Sequence, residues 1–290
     1  MGLIEKGLLK IYGVLRNASF KRAVFNALNK KLCVIAAFPR AASRNLAGRI
    51  CELNDKDIKY TDDVGLCPGI GHHFIDHNKL QIGLPIFRHA LIYGHIPIND
   101  HNYQILNRYK KVYVMIPIRP LPDVMVSYRD FMKGGHGPLD WRAPNSGPEG
   151  CPGFLQLTPK RQMDYLLDYI APWYLRFLSS WLSVREFFKP VFVSFESQTS
   201  QPAETLAAIF GHIEAGFDRD KLEGLQRSTK TYNKNIGVPG RGSELSHQHI
   251  QRLKALTAYH PMMSETGLER YLIEGKADQI RRGEDGILFI

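Results

Sequence analysis

Leu32-Cys33-Val34-Ile35-Ala36-Ala37-Phe38 is an unbroken apolar run, and a short loop of small and basic residues follows it. The run is too short for a buried helix. Its apolarity is continuous rather than alternating, so as a strand it must be covered on both faces, the condition of a strand inside a parallel sheet. Further strand candidates are Ala90–Tyr93, Val112–Ile116 and Val191–Phe195. Helical patterns fall between and after them at Asn45–Leu53, Pro122–Met132, Arg161–Phe188 and Pro202–Ile213. That alternation predicts a three-layer α/β fold, a mostly parallel sheet flanked by helices.

In such sheets ligands gather beyond the carboxyl ends of the strands. The loop after the first strand reads Phe38-Pro39-Arg40-Ala41-Ala42-Ser43-Arg44-Asn45. Small side chains at Ala41, Ala42 and Ser43 let backbone amides approach an anion. A helix beginning near Ser43 adds unpaired N–H donors and about half a unit of positive charge. Arg40 and Arg44 add full charges, and Ser43 a hydroxyl. The pattern Gly-x4-Gly-Lys-Ser/Thr is absent, which argues against an ATPase or GTPase. Taken alone, the loop fits an ordinary strand–turn–helix with exposed arginines as well as it fits a phosphate grip.

Two further signals follow a strand. Arg119 ends the third candidate, Pro122-Asp123 opens a helix, and Ser127 lies eight residues after Arg119, near enough to share one phosphate with it. Ala90-Leu91-Ile92-Tyr93-Gly94-His95 places an imidazole at a strand end, where a side chain with a pKa near 6.5 is a competent base for a hydroxyl proton.

Together these features resemble the sulfotransferase family that uses 3'-phosphoadenosine 5'-phosphosulfate (PAPS). Phe38 to Arg44 is similar to the family's 5'-phosphosulfate loop, commonly Tyr/Phe-Pro-Lys/Arg-Ser-Gly-Thr/Ser-Thr. Arg119-Pro120-Leu121-Pro122-Asp123-Val124-Met125-Val126-Ser127-Tyr128 resembles its 3'-phosphate motif, Arg-Asp-Pro-x-Asp-Val-x-x-Ser-Tyr. Gly94-His95-Ile96-Pro97 resembles the Thr-His-Leu-Pro segment that carries the base in cytosolic members. Val193-Ser194-Phe195-Glu196 is similar to the strand ending Tyr-Glu-Asp, and Gly240-Arg241-Gly242 to the Arg/Lys-Gly loop that closes on the 3'-phosphate. The motifs run in family order from about residue 32 to residue 256.

The resemblance implies a P-loop-NTPase-like sulfotransferase fold over residues 32–290 and in-line transfer of a sulfonate from PAPS to an acceptor hydroxyl or amine, leaving PAP. It implies His95 as general base and Arg40 as the group that stabilises charge on the bridging oxygen. The cofactor would be held by Arg40, Ala41, Ala42, Ser43, Arg44 and Asn45, by Arg119 and Ser127, and by Phe195, Arg241 and Gly242. No metal is required. Four positions depart from the pattern: Ala41-Ala42 stands for Ser-Gly, Asn45 for a Trp that stacks on adenine, and Tyr93 for a Lys two residues before the base. Pro117 near a strand end is tolerable only where that position donates no ladder hydrogen bond.

Outside the motifs, residues 3–31 read as a basic amphipathic helical segment, either adhering to an anionic membrane surface or packed on the domain. Lys133 to Pro159 is rich in Gly and Pro without periodicity, as a lid over the acceptor site or a disordered segment would be. Cys33, Cys51, Cys67 and Cys151 form no close pair, which fits a reducing cytoplasm. The net charge of +10 calls for anionic partners, but no nucleic-acid recognition pattern is present. His72, His73, Asp76 and His77 could be read as a metal cluster, though no known pattern completes it. The acceptor, whether a small molecule, a lipid or a carbohydrate, is not legible. The competing functions are a non-catalytic nucleotide- or anion-binding module and a membrane-surface protein.

Overall fold

The structure is a computed structural model that describes residues 18–54, 57–60, 74–84, 88–133, 153–227, 239–276 and 288–289. Its centre is a six-stranded sheet made of β1 (Leu32–Ala36), β2 (Ile58–Tyr60), β3 (His89–Gly94), β4 (Val112–Ile118), β5 (Val191–Ser194) and β6 (Leu288–Phe289). The spatial order is β2-β3-β1-β4-β5-β6, and every pair is parallel.

The apolar run at β1 is explained by this position. Leu32, Val34 and Ala36 enter one core, while Cys33, Ile35 and Ala37 enter the other across the sheet. Each fully buried Leu, Val or Ile here contributes about 1.5–3 kcal/mol. Burial also pushes the Cys33 thiol up to about 12, leaving it an inert core residue.

Helices supply the outer layers. One core is covered by α1 (Ala18–Ala27), α3 (His77–Gly83), α4 (Asp100–Leu106), α5 (Leu121–Lys133) and the long α6 (Pro159–Leu182), and α7 (Arg185–Phe188) follows α6 directly. The other is covered by α2 (Ser43–Leu53) and α9 (Pro202–His212), through Leu46, Ile50, Leu206, Ile209 and Phe210. The remaining helices are α8 (Phe195–Ser200), α10 (Arg219–Arg227), α11 (His247–Ala258), α12 (Pro261–Glu265) and α13 (Leu268–Glu274). The described part of the basic N-terminal segment, residues 18–31, contains α1. It packs on the domain through Phe25, fully buried edge-on to Tyr109.

Several bounds differ from the sequence reading. The helix expected over Arg161–Phe188 begins at Pro159, capped by the Thr158 hydroxyl, and stops at Leu182, with α7 separate. Pro117 sits inside β4, yet the β1 pairing ends at Met115, and at Pro117 the strand is in register only with Val193 of β5. Residues 134–152 of the suggested lid, His72 and His73, and residues 3–17 lie outside the described residues.

Candidate active site

After β1 the chain goes to β2 and β3 on one side and later to β4 on the other. This reversal opens a crevice beyond the carboxyl ends of β1, β3 and β4. The loop after β1 is fixed at its start. The Ala37 amide donates to Gly94 O at 2.9 Å, and the buried Phe38 ring lies 4.7 Å from Trp173 and 4.3 Å from Tyr174.

Beyond Phe38 the backbone is strained. Arg40 (φ 73°) and Ala42 (φ 62°) both occupy the left-handed region, which costs a residue with a Cβ about 1–2 kcal/mol. Ala42 caps α2 without a side-chain hydrogen bond. Among the described residues, nothing accepts from the amides of Ala42, Ser43 and Arg44, the orphan donors of a helix N-terminus. The Ser43 hydroxyl lies 3.4 Å from the Tyr93 hydroxyl, so Tyr93 reaches the loop from β3. Arg44 is exposed on the first turn of α2, and Asn45 accepts from Arg49 Nε at 3.0 Å. Asn45 and Arg49 also border a shallow cleft with Gln198, Pro202 and Thr205.

His95 follows β3 directly. Its Nδ1–H donates to Ala37 O at 2.7 Å, which leaves the lone pair on Nε2. The turn that carries it is pinned from beneath. Trp181 Nε1–H donates to Ile96 O at 2.8 Å, the Ile98 amide to Ser180 Oγ at 3.0 Å, and Asn102 Nδ2–H to Pro97 O at 2.8 Å.

On the β4 side three guanidinium groups gather. Arg119 is 1% exposed, donates to Asp123 at 3.4 Å and lies 4.2 Å over the Phe195 ring. Arg40 Nε–H donates to Ser127 Oγ at 3.1 Å, and its guanidinium sits 4.9 Å over Phe131. Burial, then Arg119 and Arg241, push Arg40 below the ordinary guanidinium range; burial does the same to Arg119 against the pull of Asp123. The cations thus crowd one another, a repulsion that a bound anion relieves.

Arg241 belongs to a turn docked on α5. Asp123 accepts from the Gly240 amide at 2.9 Å and the Gly242 amide at 2.6 Å. A Cβ at Gly242 would meet Pro122 Cβ at 2.4 Å, so only glycine fits. Arg241 pairs with Asp130 and reaches Glu244 at 3.6 Å. Burial would raise the Asp130 carboxyl, but the hydrogen bond and charge of Arg241, with Arg129, hold it below the carboxylate range.

Four supporting residues escaped the motif reading or were read only in part. Tyr174 both accepts from the Arg119 amide at 3.1 Å and donates to its carbonyl at 3.2 Å. Tyr271 donates to Glu196 at 2.5 Å and accepts from the Phe195 amide at 3.3 Å. Burial pushes Glu196 up, and Tyr271 lies well above the usual phenol range, first through burial and then through Glu196. Tyr174 was readable only as a core aromatic, Asp123 as a helix first-turn acid within the Arg119–Tyr128 motif, and Glu196 as the end of the Val193–Glu196 motif, while Tyr271 carried no signal at all.

No group of His, Cys, Asp and Glu among the described residues is placed to hold a metal, and no described helix is long and apolar enough to cross a membrane. No family model matches the chain, and no curated protein matches it in sequence. A mouse sulfotransferase, SULT7A1, solved as a complex with PAP, has the same fold. It aligns with a TM-score of 0.59 at 13% identity, covering 88% of this chain and 92% of that one. The chain therefore has a sulfotransferase-like α/β fold.

Proposed function

We propose that the chain is a PAPS-dependent sulfotransferase, moving a sulfonate to an acceptor hydroxyl or amine. The observation that carries the reading is the gathering, beyond the ends of β1, β3 and β4, of His95 with its lone pair on Nε2, the unbonded amides of Ala42 to Arg44, and the Arg40, Arg119, Arg241 and Ser127 side chains. This donor set suits a ligand with phosphate at two positions: loop amides and Ser43 for one, Arg119, Ser127 and Arg241 for the other. PAPS supplies the sulfonate and a good leaving group.

The protein's own residues then do the following. His95 accepts the proton of the attacking acceptor atom at Nε2, while Ala37 O holds the ring and stabilises the imidazolium that forms. Arg40 stays protonated and stabilises negative charge that grows on the leaving side. In this structure its Nε–H donates to Ser127 Oγ, beside the residues proposed for the second phosphate. Arg44 adds a long-range charge, and Phe195 holds the Arg119 guanidinium flat.

The test is the substitution His95→Ala. Sulfonate transfer should fall about 10²–10⁴-fold, with PAP binding within about twofold of wild type. Near-normal turnover would remove His95 from the role. Failure of the wild-type protein to bind PAP at all would favour a different anionic ligand.

A further inference from the structure

Far from the crevice, donors converge on His77 at the start of α3. Arg22 Nη1 of α1 lies 3.0 Å from its Nε2, and Arg108 Nη1, in the turn before β4, lies 3.0 Å from the same atom. Gln81 Nε2, one turn along α3, is 2.5 Å away. An imidazole nitrogen has one lone pair. Gln81 can turn its amide to present oxygen instead, but a guanidinium has only donors. Two cations therefore compete for one neutral acceptor.

Among the described residues the surroundings do not correct this shortage. Asp76 is the acid that acts on His77, and its Oδ1 accepts from the Asn78 and Lys79 amides at 2.9 and 3.1 Å. Burial, then Arg108 and Arg22, hold His77 below the usual imidazole range; Asp76 opposes them and His101 adds to the lowering. Tyr109 is 5% exposed, and its buried hydroxyl has no hydrogen-bond partner among the described residues. Arg22 and Arg108 are the cations that act on that hydroxyl. The arrangement is also built rather than accidental. Asn26 of α1 accepts from the Lys110 amide at 3.2 Å and donates to Arg108 O at 3.0 Å, fixing the turn that carries Arg108.

We propose that Arg22, Arg108 and His77 form a second anion site, one that takes a phosphate-type tetrahedral oxyanion, free or on a lipid headgroup. Such a group offers enough acceptor oxygens for both guanidinium forks at once, which a single imidazole does not. Its double charge offsets both arginines and favours protonation of His77, turning the competing acceptor into a further donor. The site is distinct from the crevice. Arg108 precedes the amino end of β4 and Arg119 follows its carboxyl end, so the strand separates them by about 20 Å.

The probe is inorganic phosphate against chloride at equal ionic strength, read from the His77 imidazole signals by NMR and identified by comparison with His77→Gln. Phosphate should move His77 toward the imidazolium position at pH 7 and raise its midpoint by about half a unit or more. Arg108→Ala, at an exposed position, and Arg22→Ala should each weaken the response about tenfold. Ser127→Ala, in the crevice, should leave it unchanged. A parallel arm sediments phosphatidylcholine vesicles with and without phosphatidic acid. Binding that needs phosphatidic acid and is lost in both arginine variants, with no response to free phosphate, assigns the site to a lipid headgroup. A His77 signal indifferent to phosphate, together with vesicle binding unaffected by Arg22→Ala and Arg108→Ala, overturns the proposal. So does a phosphate response that survives both substitutions.

Discussion

Substituting Gly242 with alanine tests whether the turn at residues 240–244 is a working part of the site. A methyl group there would overlap Pro122 Cβ at 2.4 Å and crowd Asp123 Oδ1 at 3.1 Å. Pro122 is rigid and buried at the start of α5, so the turn must move instead. Movement breaks two hydrogen bonds to the Asp123 carboxylate, from the Gly240 and Gly242 amides. At about 1.5–3 kcal/mol for each bond to a charged group, the docked turn loses about 3–6 kcal/mol, enough to undock it locally. Undocking withdraws Arg241, and a ligand that loses one charge-assisted bond from it should bind roughly 10–150-fold more weakly. Two assays decide. Hydrogen exchange at the Gly240 and Gly242 amides should accelerate in the variant, whatever the ligand. Calorimetric titration with PAP should show Gly242→Ala and Arg241→Ala weakened to a similar degree. Amides as protected as in wild type, or PAP affinity within twofold of wild type, would refute the reasoning.

Ala42→Gly should relieve the left-handed strain at φ 62°. The gain is offset in part by glycine's greater freedom in the unfolded chain, for a net stabilisation under about 1 kcal/mol and a melting temperature about 1–3 °C higher. An unchanged or lower melting temperature would count against the strain. Tyr271→Phe removes the hydroxyl that donates to Glu196 and accepts from the Phe195 amide. It should cost about 1–3 kcal/mol in urea unfolding, and a neutral result would show the network to be dispensable. Asp130 is held below the carboxylate range in the folded state, so its contribution is complete above an unfolded pKa near 3.9 and is lost as pH falls through the lower folded value. Asp130→Asn should therefore flatten the fall in stability below about pH 4, and a curve parallel to wild type would exclude that pairing as a source of acid sensitivity.

The fold was legible where one physical requirement dominated the sequence. A strand buried on both faces must be apolar at every position, and Leu32 to Ala36 and Val191 to Val193 meet that demand. The short edge strand Ile58–Tyr60 carries Lys59 exposed between two flanking apolar residues, so no run announces it. Helices α3 and α4 are seven residues each and depend on the capping side chains of Asp76 and Asn99 and on tertiary packing, which leaves too few turns for periodicity to register. In the crevice, Arg119 and His95 were visible because each follows a strand. Tyr174 and Tyr271 were not, because their hydroxyls reach Arg119 and, at 3.3 Å, the Ile118 carbonyl, 55 and 153 positions away in the chain. Only the packing of α6 and α13 against the end of β4 brings those pairs together.

The left-handed residues at Arg40 and Ala42 connect the fold to the site. Backbone in that region persists only when its surroundings determine it more strongly than local preference does. Here both sides of the loop are fixed. Upstream, Ala37 is held by Gly94 O and by the His95 ring, and Phe38 is locked against Trp173, Tyr174 and Phe177. Downstream, Leu46, Ala47 and Ile50 anchor α2 in the core opposite. The loop must cross from one core to the other within a few residues. Along that path the amides of Ala42, Ser43 and Arg44 have no acceptor among the described residues. Glycine would make that crossing without strain but with more freedom in the unbound loop. Alanine keeps the amides in one arrangement at the expense of stability, so a loop without glycine fits rigid presentation of donors to an anion better than closure around one.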